Sequence, residues 1–293
     1  MAKDIALYLL GFKGFYVLQE IIKTNLSDKI AFVVSMYDNT QEDYCDNIKA
    51  LCQKCGIAFY LYGYSPEIPH YVFAISWRRL IHTENKVIVL HDSILPKYRG
   101  FNPLVSALIN GDKKIGVSAL FGENAYDSGD ILAQKSIDIS YPLTIFEAIN
   151  KVSVLYAEIV IELLNKVLNK KDLIGIPQNT SLVSYSLWRD EFDYFIPWEF
   201  SARKIERFID AVGYPYAGAR AFCGDVLVKV LKARALDDVK IINRDIGKII
   251  FKEQGCPVIV CKKGLLKIIK MQTLEGQPFV CEKFRTRFSS KGG

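Results

Sequence analysis

Short apolar runs alternate with segments whose apolar residues recur every three or four positions. Such runs read as buried strands and the longer period reads as helix. "DIALYLLG" (4–11), "IAFVVSM" (30–36), "IAFYLYG" (57–63), "YVFAISW" (71–77) and "VIVLH" (87–91) are the strands. "FYVLQEIIKTN" and "QEDYCDNIKALCQKCG" (41–56) have helical spacing, with Gly56 at the C′ position of the second. "NPLVSALING" (102–111) reads as a helix closed by Gly111, "IGVSALFG" (115–122) as a strand, and "ENAYDSGD" as a loop. A long amphipathic helix follows over 144–170. "GIPQNTS" (175–181) is the best boundary, being rich in turn formers. "SARKIERFIDAVGYPYAGA" then reads as a helix ended by Gly213. From about 220 short strands with "EQG" and "KKG" turns predict a barrel-like unit. The expected fold is therefore α/β: a Rossmann-like, doubly wound, mostly parallel sheet, then a helical linker and a small OB-like β-barrel subdomain. The expected limits are 1–178 and 179–293.

In doubly wound sheets ligands gather beyond the carboxyl ends of the strands. His91 sits at such an end, and the chain has 3 histidines in all. The loop "YDSGD" (126–130) supplies Asp127, and both loops are expected to open at the same edge of the sheet. A carboxylate beside an imidazole fixes its tautomer and raises its basicity, so His91 and Asp127 form a candidate acid/base pair. Other motifs are weaker. Gly11 and Gly14 lack the rest of a GxGxxG and read as tight strand-to-helix packing. Ser93 has no GxSxG elbow. His70 and His82 read as structural. Cys52 and Cys55 form a CxxC with Cys45 upstream, but no second pair completes a zinc set, so they read as helix cysteines and no metal is expected.

Composition narrows the class. Hydrophobic residues make up 50% of the chain and aromatics 12%, enough for a core, so disorder is excluded. No apolar run approaches the roughly 20 residues of a membrane span. The apolar start holds Asp4, Lys13 and Glu20 and lacks a signal-peptide cleavage site. With 7 cysteines, an odd number, a cytoplasmic setting is expected. The net charge of +6 is uneven: residues 221–293 hold 15 Lys+Arg against 7 Asp+Glu, a surplus of +8, which leaves −2 for the rest. A basic segment can meet nucleic acid or a phosphorylated small molecule, or can simply be a solvated face.

"LHDSILPKYRGFNPLVSALINGD" and "AYDSGDILAQ" resemble the signature of the folate-dependent formyltransferases, N-x-H-P-S-L-L-P-x-x-R-G followed by D-T/S-G-D-I-L. The resemblance extends from the first strand to about Pro278. "IPWEFSARKIERFIDAVGYPYAGA" and "GLLKIIKMQTLEGQPF" are similar to segments beyond the catalytic domain in the sugar-nucleotide and methionyl-tRNA branches. The resemblance implies transfer of a formyl group from N10-formyltetrahydrofolate to an amine, with His91 and Asp127 catalytic. The family's Asn, two residues before the His, is Val89 here, and its Pro after the His is Asp92. A donor aimed at a developing oxyanion contributes about 3–4 kcal/mol. Val89 cannot donate, so protonated His91 acts alone or a neighbour such as Asn102 or Asn124 replaces the amide. By the same resemblance Trp77, Arg79, Leu80 and Ile81, with Ser93, Ile94 and Leu95, hold the folate pterin. Tyr126 and Asp130 belong to the loop that closes over it.

The resemblance leaves three amine acceptors. Glycinamide ribonucleotide is served by a single-domain enzyme and fits poorly. The tRNA branch carries a basic, Gly-containing insertion after its second strand, where this chain has the acidic "VVSMYDNTQEDYCDNIKAL". "WRDEFDYFIPW" (188–198) resembles the substrate-contacting stretch of sugar formyltransferases. Lys97, Tyr98, Arg99, Asn102, Trp188, Arg189 and Tyr194 are therefore assigned to the acceptor. The expected partner is a small-molecule aminosugar nucleotide used for a bacterial surface glycan. A homodimer is the expected assembly, with no membrane and no nucleic acid. Methionyl-tRNA formylation and non-catalytic folate or sugar-nucleotide binding, the latter motivated by Val89, stay open as alternatives.

Overall fold

The computed structural model describes residues 5–64, 66–169 and 171–291. The strand predicted from Asp4 and the helix predicted to Lys170 each include one residue outside these. In chain order the first elements are β1 (Ile5–Leu9), α1 (Gly11–Ile22), β2 (Ile30–Ser35), α2 (Cys45–Lys54), β3 (Ala58–Leu61), β4 (Tyr71–Ile75) and β5 (Lys86–His91). There follow β6 (Arg99–Gly100), α3 (Pro103–Asn110), β7 (Lys114–Phe121), β8 (Ile131–Asp138), α4 (Ile145–Leu168) and β9 (Tyr185–Ser186). The chain ends with α5 (Ala202–Ala211), β10 (Ala219–Cys223), β11 (Val226–Leu236), β12 (Ile249–Glu253), β13 (Cys256–Val260), β14 (Leu265–Gln272), β15 (Pro278–Phe279) and β16 (Phe288–Ser289).

Packing divides the chain into two units. One runs to Pro103 and takes in Lys114–Asp138 and Ala148–Leu187. The other holds Leu104–Lys113, Ile139–Glu147 and the chain from Trp188 on.

The first unit is built on a sheet of order β3-β2-β1-β4-β5-β7-β8. β1 to β5 run parallel, so the chain winds outward through β2 and β3, returns beside β1, and winds the other way. All five residues of β1 are buried, as expected of a central strand covered on both faces. At Gly14 a Cβ would lie 3.0 Å from the Leu9 Cβ, so this glycine serves tight strand-to-helix packing, as the spacing predicted.

Three sequence expectations need correction. β7 pairs antiparallel with β5, His91 lying opposite Ser118 and Ile88 opposite Phe121. The loop after β7 therefore leaves the sheet at the end opposite to His91, not at the same edge. The alternation of strand and helix does not report this. α3 is 8 residues long, about 12 Å, and gives the chain little length in which to return before β7 begins. β8, antiparallel to β7, was not anticipated. It is an edge strand with no buried position and half its residues polar, so its apolar signal is weak. α2 begins at Cys45 rather than 41, because Asp43 accepts the Cys45 N–H (2.9 Å) and Asp38 binds Thr40 and Gln41 outside the helix. On α2, Cys52 is buried, with its thiol pushed up to about 12 by burial, while Cys55 is exposed.

In the second unit an antiparallel sheet runs β12-β13-β14-β11-β10-β16, with β15 added beside β14. An isolated bridge between Lys248 and Arg287 ties the chain entering β12 to the chain entering β16, curling the sheet toward closure as the barrel expectation required. α5 is capped by Ser201, whose Oγ accepts the Lys204 N–H, and it packs Ile205, Phe208 and Ile209 inward. No helix among the described residues is long and apolar enough to cross a membrane.

Asp210 of α5 is pushed up to about 7, first by burial and then by Glu206 and Glu147, against a smaller effect of Lys232. A carboxyl raised in the folded state favours folding fully below its unfolded value of 3.8, and this contribution is lost as pH rises toward about 7. Asp210→Asn is therefore expected to leave stability at pH 4 unchanged. At pH 8 it should add on the order of 2 kcal/mol, discounted for the carboxyl's exposed part, as read from urea unfolding at both pH values.

Candidate active site

β5 carries His91 to the carboxyl edge, where it is 7% exposed. Its Nε2 lies 2.8 Å from the Tyr98 carbonyl, which can only accept, so Nε2 carries a proton. Nδ1 then faces Asp127 Oδ2 at 3.4 Å. That approach brings the imidazole and the carboxylate within reach of one proton relay. Asp127 Oδ2 also accepts the Gly100 N–H at 2.8 Å. The expected acid/base pair is thus brought together, although its carboxylate arrives from the far end of β7.

Two loops are bent to achieve this. Of the six described non-glycine residues with positive φ, Tyr98 (59°), Asn102 (48°) and Asp127 (49°) lie in the two loops that meet at His91. Such conformations cost on the order of 1 kcal/mol or more each and persist where surrounding contacts impose them. The contacts are visible. Ser93 Oγ donates to the Lys97 carbonyl (2.7 Å), and Ser118 Oγ donates to the Ser93 carbonyl (2.7 Å) while accepting the Leu95 N–H (3.1 Å). Gln134 Nε2 reaches both Ser118 Oγ (2.7 Å) and the Leu95 carbonyl (3.1 Å). On the other loop, a Cβ at Gly129 would fall 1.9 Å from the Phe121 carbonyl oxygen, so "DSGD" admits only glycine there.

Gln178 was missed by the sequence reading, which saw only a boundary loop. Its Oε1 accepts from Arg99 Nε (3.1 Å) and Nη2 (2.8 Å), and its Nε2 donates to the carbonyls of Asp127 and Gly129, both at 2.8 Å. One amide thus neutralises the hydrogen-bonding demand of a buried guanidinium and holds the carboxylate loop. Only the polarity of the residue within "GIPQNTS" could have pointed to it.

The other predicted residues are distributed as follows. Ser93 and Leu95 are buried in the turn network, and Ile94 packs beside Gly116. Trp77 packs edge-on to Tyr8 (5.2 Å) and Tyr62 (5.6 Å), and with Ile81 it joins the core cluster of Ala6, Tyr8 and Val72. Arg79 and Leu80 are exposed. Tyr126 is exposed and its ring lies 5.4 Å from that of Phe101, and Asp130 is also exposed. Lys97 faces outward, Tyr98 presents its carbonyl to His91, and Arg99 turns inward to Gln178. Neither Asn102 nor Asn124 is recorded as a hydrogen-bond partner of His91, whose recorded partners are Tyr98 and Asp127. Val89 faces Ala74 and Leu120 on the neighbouring strands, so no amide adjoins it there. Trp188, Arg189 and Tyr194 belong to the second unit. There Arg189 donates to the Asp193 carbonyl (3.1 Å), and Asp190 and Asp193 form a capping box. Among the described residues no cluster of side chains could hold a metal ion.

Residues 68–164 match the formyl transferase family, and residues 190–289 match the formyl transferase C-terminal domain. The chain belongs to the formyl transferase family. It is 32% identical over 221 residues to the methionyl-tRNA formyltransferase of Thermodesulfovibrio yellowstonii, covering 73% of this chain and 69% of that protein. The fold resembles that of the N-formyltransferase from Helicobacter canadensis, solved with folinic acid and dTDP-3-aminofucose. The TM-score is 0.66 and the identity 16%, over 95% of this chain and all of that one (100%). It also resembles HypX from Aquifex aeolicus, with a TM-score of 0.61 and 17% identity. Here 95% of this chain covers 48% of the other, so the chain spans about half of HypX. The formyltransferase assignment thus rests on sequence, and His91 and Asp127 both lie within the matched residues 68–164.

Replacing Gln178 by Leu would strand the buried Arg99 guanidinium and release the Asp127 loop. Loss of hydrogen bonds to a buried charge is expected to destabilise the protein by about 3 kcal/mol in urea unfolding.

Proposed function

We propose that the enzyme transfers the formyl group of N10-formyltetrahydrofolate to the amine of a nucleotide-linked aminosugar. Residues 1–178 would serve as the transfer domain and 179–293 as the part that reads the acceptor. The observation that carries the transfer reading is the buried His91 imidazole with Asp127 Oδ2 3.4 Å from its Nδ1. The folate fits the residues present: the partly buried Ile94 offers an apolar contact, and the exposed Phe101–Tyr126 pair offers flat aromatic surface. When bound, it supplies the formyl carbon.

The chain's own residues would do the rest. Asp127 and His91 take the proton released by the attacking amine and return it to the leaving nitrogen. His91 in its protonated form would meet the negative charge that develops on the formyl oxygen. Val89, between Ala74 and Leu120, leaves that charge without the family's amide. Burial strengthens the remaining interaction by excluding water.

The acceptor reading rests on the connection after β2. Asp38 is buried and accepts hydrogen bonds from Thr40 and Gln41, with Arg78 paired at 3.0 Å. Burial pushes its carboxyl up, but those hydrogen bonds and the guanidinium outweigh it and hold it below the usual range. Glu42, Asp43 and Asp46 follow, so the connection is acidic and suits a polyanion poorly. Methionyl-tRNA formylation is the second reading, favoured by the identity to the Thermodesulfovibrio protein.

Thermal unfolding tests both. 5-Formyltetrahydrofolate at about 100 times its dissociation constant should stabilise by about 2.7 kcal/mol, raising the melting point by roughly 2–4 °C. dTDP or UDP should add a second shift, and a shift with neither folate nor nucleotide would refute the proposal. A salt-steep affinity for initiator tRNA with no nucleotide shift would favour the second reading. His91→Ala should abolish transfer to an aminosugar nucleotide while folate affinity stays within a few fold. Val89→Asn should speed transfer if the missing amide limits the rate.

A further inference from the structure

The end of β5 is held by a buried charged cluster that takes no part in the transfer described above. Asp92 follows His91 directly. Its carboxylate forms an ion pair with Lys13 of α1 and accepts a hydrogen bond from the Tyr156 hydroxyl of α4 at 2.6 Å. The same hydroxyl lies 3.2 Å from the Leu90 carbonyl, and the Lys13 ammonium stands over the Tyr156 ring, 5.4 Å from its centre. The side chains of Lys13 and Asp92 are 13% and 15% exposed. Burial pushes the Asp92 carboxyl up, but the charge of Lys13 and the hydrogen bonds of Lys13 and Tyr156 outweigh it, so Asp92 stays ionised.

A buried ion pair is a weak source of stability, since desolvation offsets most of its attraction. Its geometry has a more specific consequence. Asp92 touches α1 and α4, whereas His91 touches Tyr98 and Asp127, so neither Lys13 nor Asp92 meets the reacting groups. What they hold is the bend between. The Ser93 N–H donates to the His91 carbonyl at 2.9 Å, a bond spanning two residues. Asp92 is absent from the residues of positive φ, so it centres an inverse γ-turn. That turn takes the chain off the sheet directly after His91 and begins the loop that returns the Tyr98 carbonyl to Nε2.

We propose that Lys13, Asp92 and Tyr156 are positioning residues whose cluster fixes the turn at Asp92 and, through it, the His91 imidazole between the Tyr98 carbonyl and Asp127. The proposal rests on His91 being the proton-transfer group. Its test does not depend on the acceptor.

The test is NMR of protein with 15N-labelled histidine rings. His91, itself buried, donates Nε2–H to the Tyr98 carbonyl at 2.8 Å, and that proton should exchange slowly and give its own resonance. In Lys13→Met/Asp92→Asn, which removes both charges and strands neither, the resonance should broaden or vanish while those of His70 and His82 stay. Tyr156→Phe, a milder change less liable to misfold, should weaken it. Lys13→Met/Asp92→Pro should restore it, because proline holds φ near the value the turn uses, about −65°. With an active acceptor in hand, kcat should fall at least tenfold in the charge-free variant while KM for the formyl donor stays within threefold. A lower melting point with an unchanged resonance in the charge-free variant, or in Tyr156→Phe if the former does not fold, would overturn the proposal. If no acceptor or folate response is found in the native protein, the resonance still decides the positioning role, and only the catalytic reading fails.

Discussion

The hydrogen bond from His91 Nε2 to the Tyr98 carbonyl decides the chemistry available at this site. Because the carbonyl can only accept, the tautomer is set without reference to any ligand, and Nδ1 becomes the working nitrogen. Asp127 Oδ2 lies 3.4 Å from that nitrogen, placed to orient the ring and to relay a proton. In water that arrangement would dissolve into hydration. At 7% exposure for His91 it persists, because little water competes for the two groups.

Holding the bond requires structure well away from it. Tyr98 and Asp127 both occupy left-handed backbone, which neither residue type prefers, and the strain is balanced by polar side chains on other segments. Ser118 and Gln134 come from β7 and β8, Gln178 from the connection before β9, and each bonds backbone groups of the strained loops. Directly after His91, Lys13 and Tyr156 hold Asp92. The site is therefore braced from five separate elements, each of which bonds a residue of the segments around His91.

The acceptor is a separate matter from the chemistry. The same proton relay can serve any amine, and the strand that carries His91 does not distinguish a sugar from an aminoacyl group. The acidic connection that Asp38 ties down after β2 belongs to the first unit, and the aromatic and charged stretch from Trp188 to Trp198 belongs to the second. Charge at such positions alters which partners approach more than how tightly a correct one binds.

Much of this was legible from residue order. Local periodicity reports strands and helices because burial repeats with the element's own period, and β1, β2, β4, β5, α1 and α4 follow it closely. Gly56 ends α2 as its position implied, with φ of 64°. His91 and Asp127 could be paired because the residue types and the family pattern both single them out. Strand direction was not legible, since an apolar run looks the same read either way against its neighbour. β7 thus turned out antiparallel and delivers Asp127 from the opposite end. β8 carries a weak signal because an edge strand has nothing to bury on one side. Arg99, expected to meet substrate, is satisfied by Gln178, and Asp92, which looked like a mere departure from a motif, is an anchor. Both depend on partners 79 residues away in the sequence. The sequence alone determined most of the buried strands and helices and which side chains can carry a proton. Only the tertiary structure decided which polar groups are satisfied by one another and which are left for a ligand, because a hydrogen bond is a property of two atoms brought together in space.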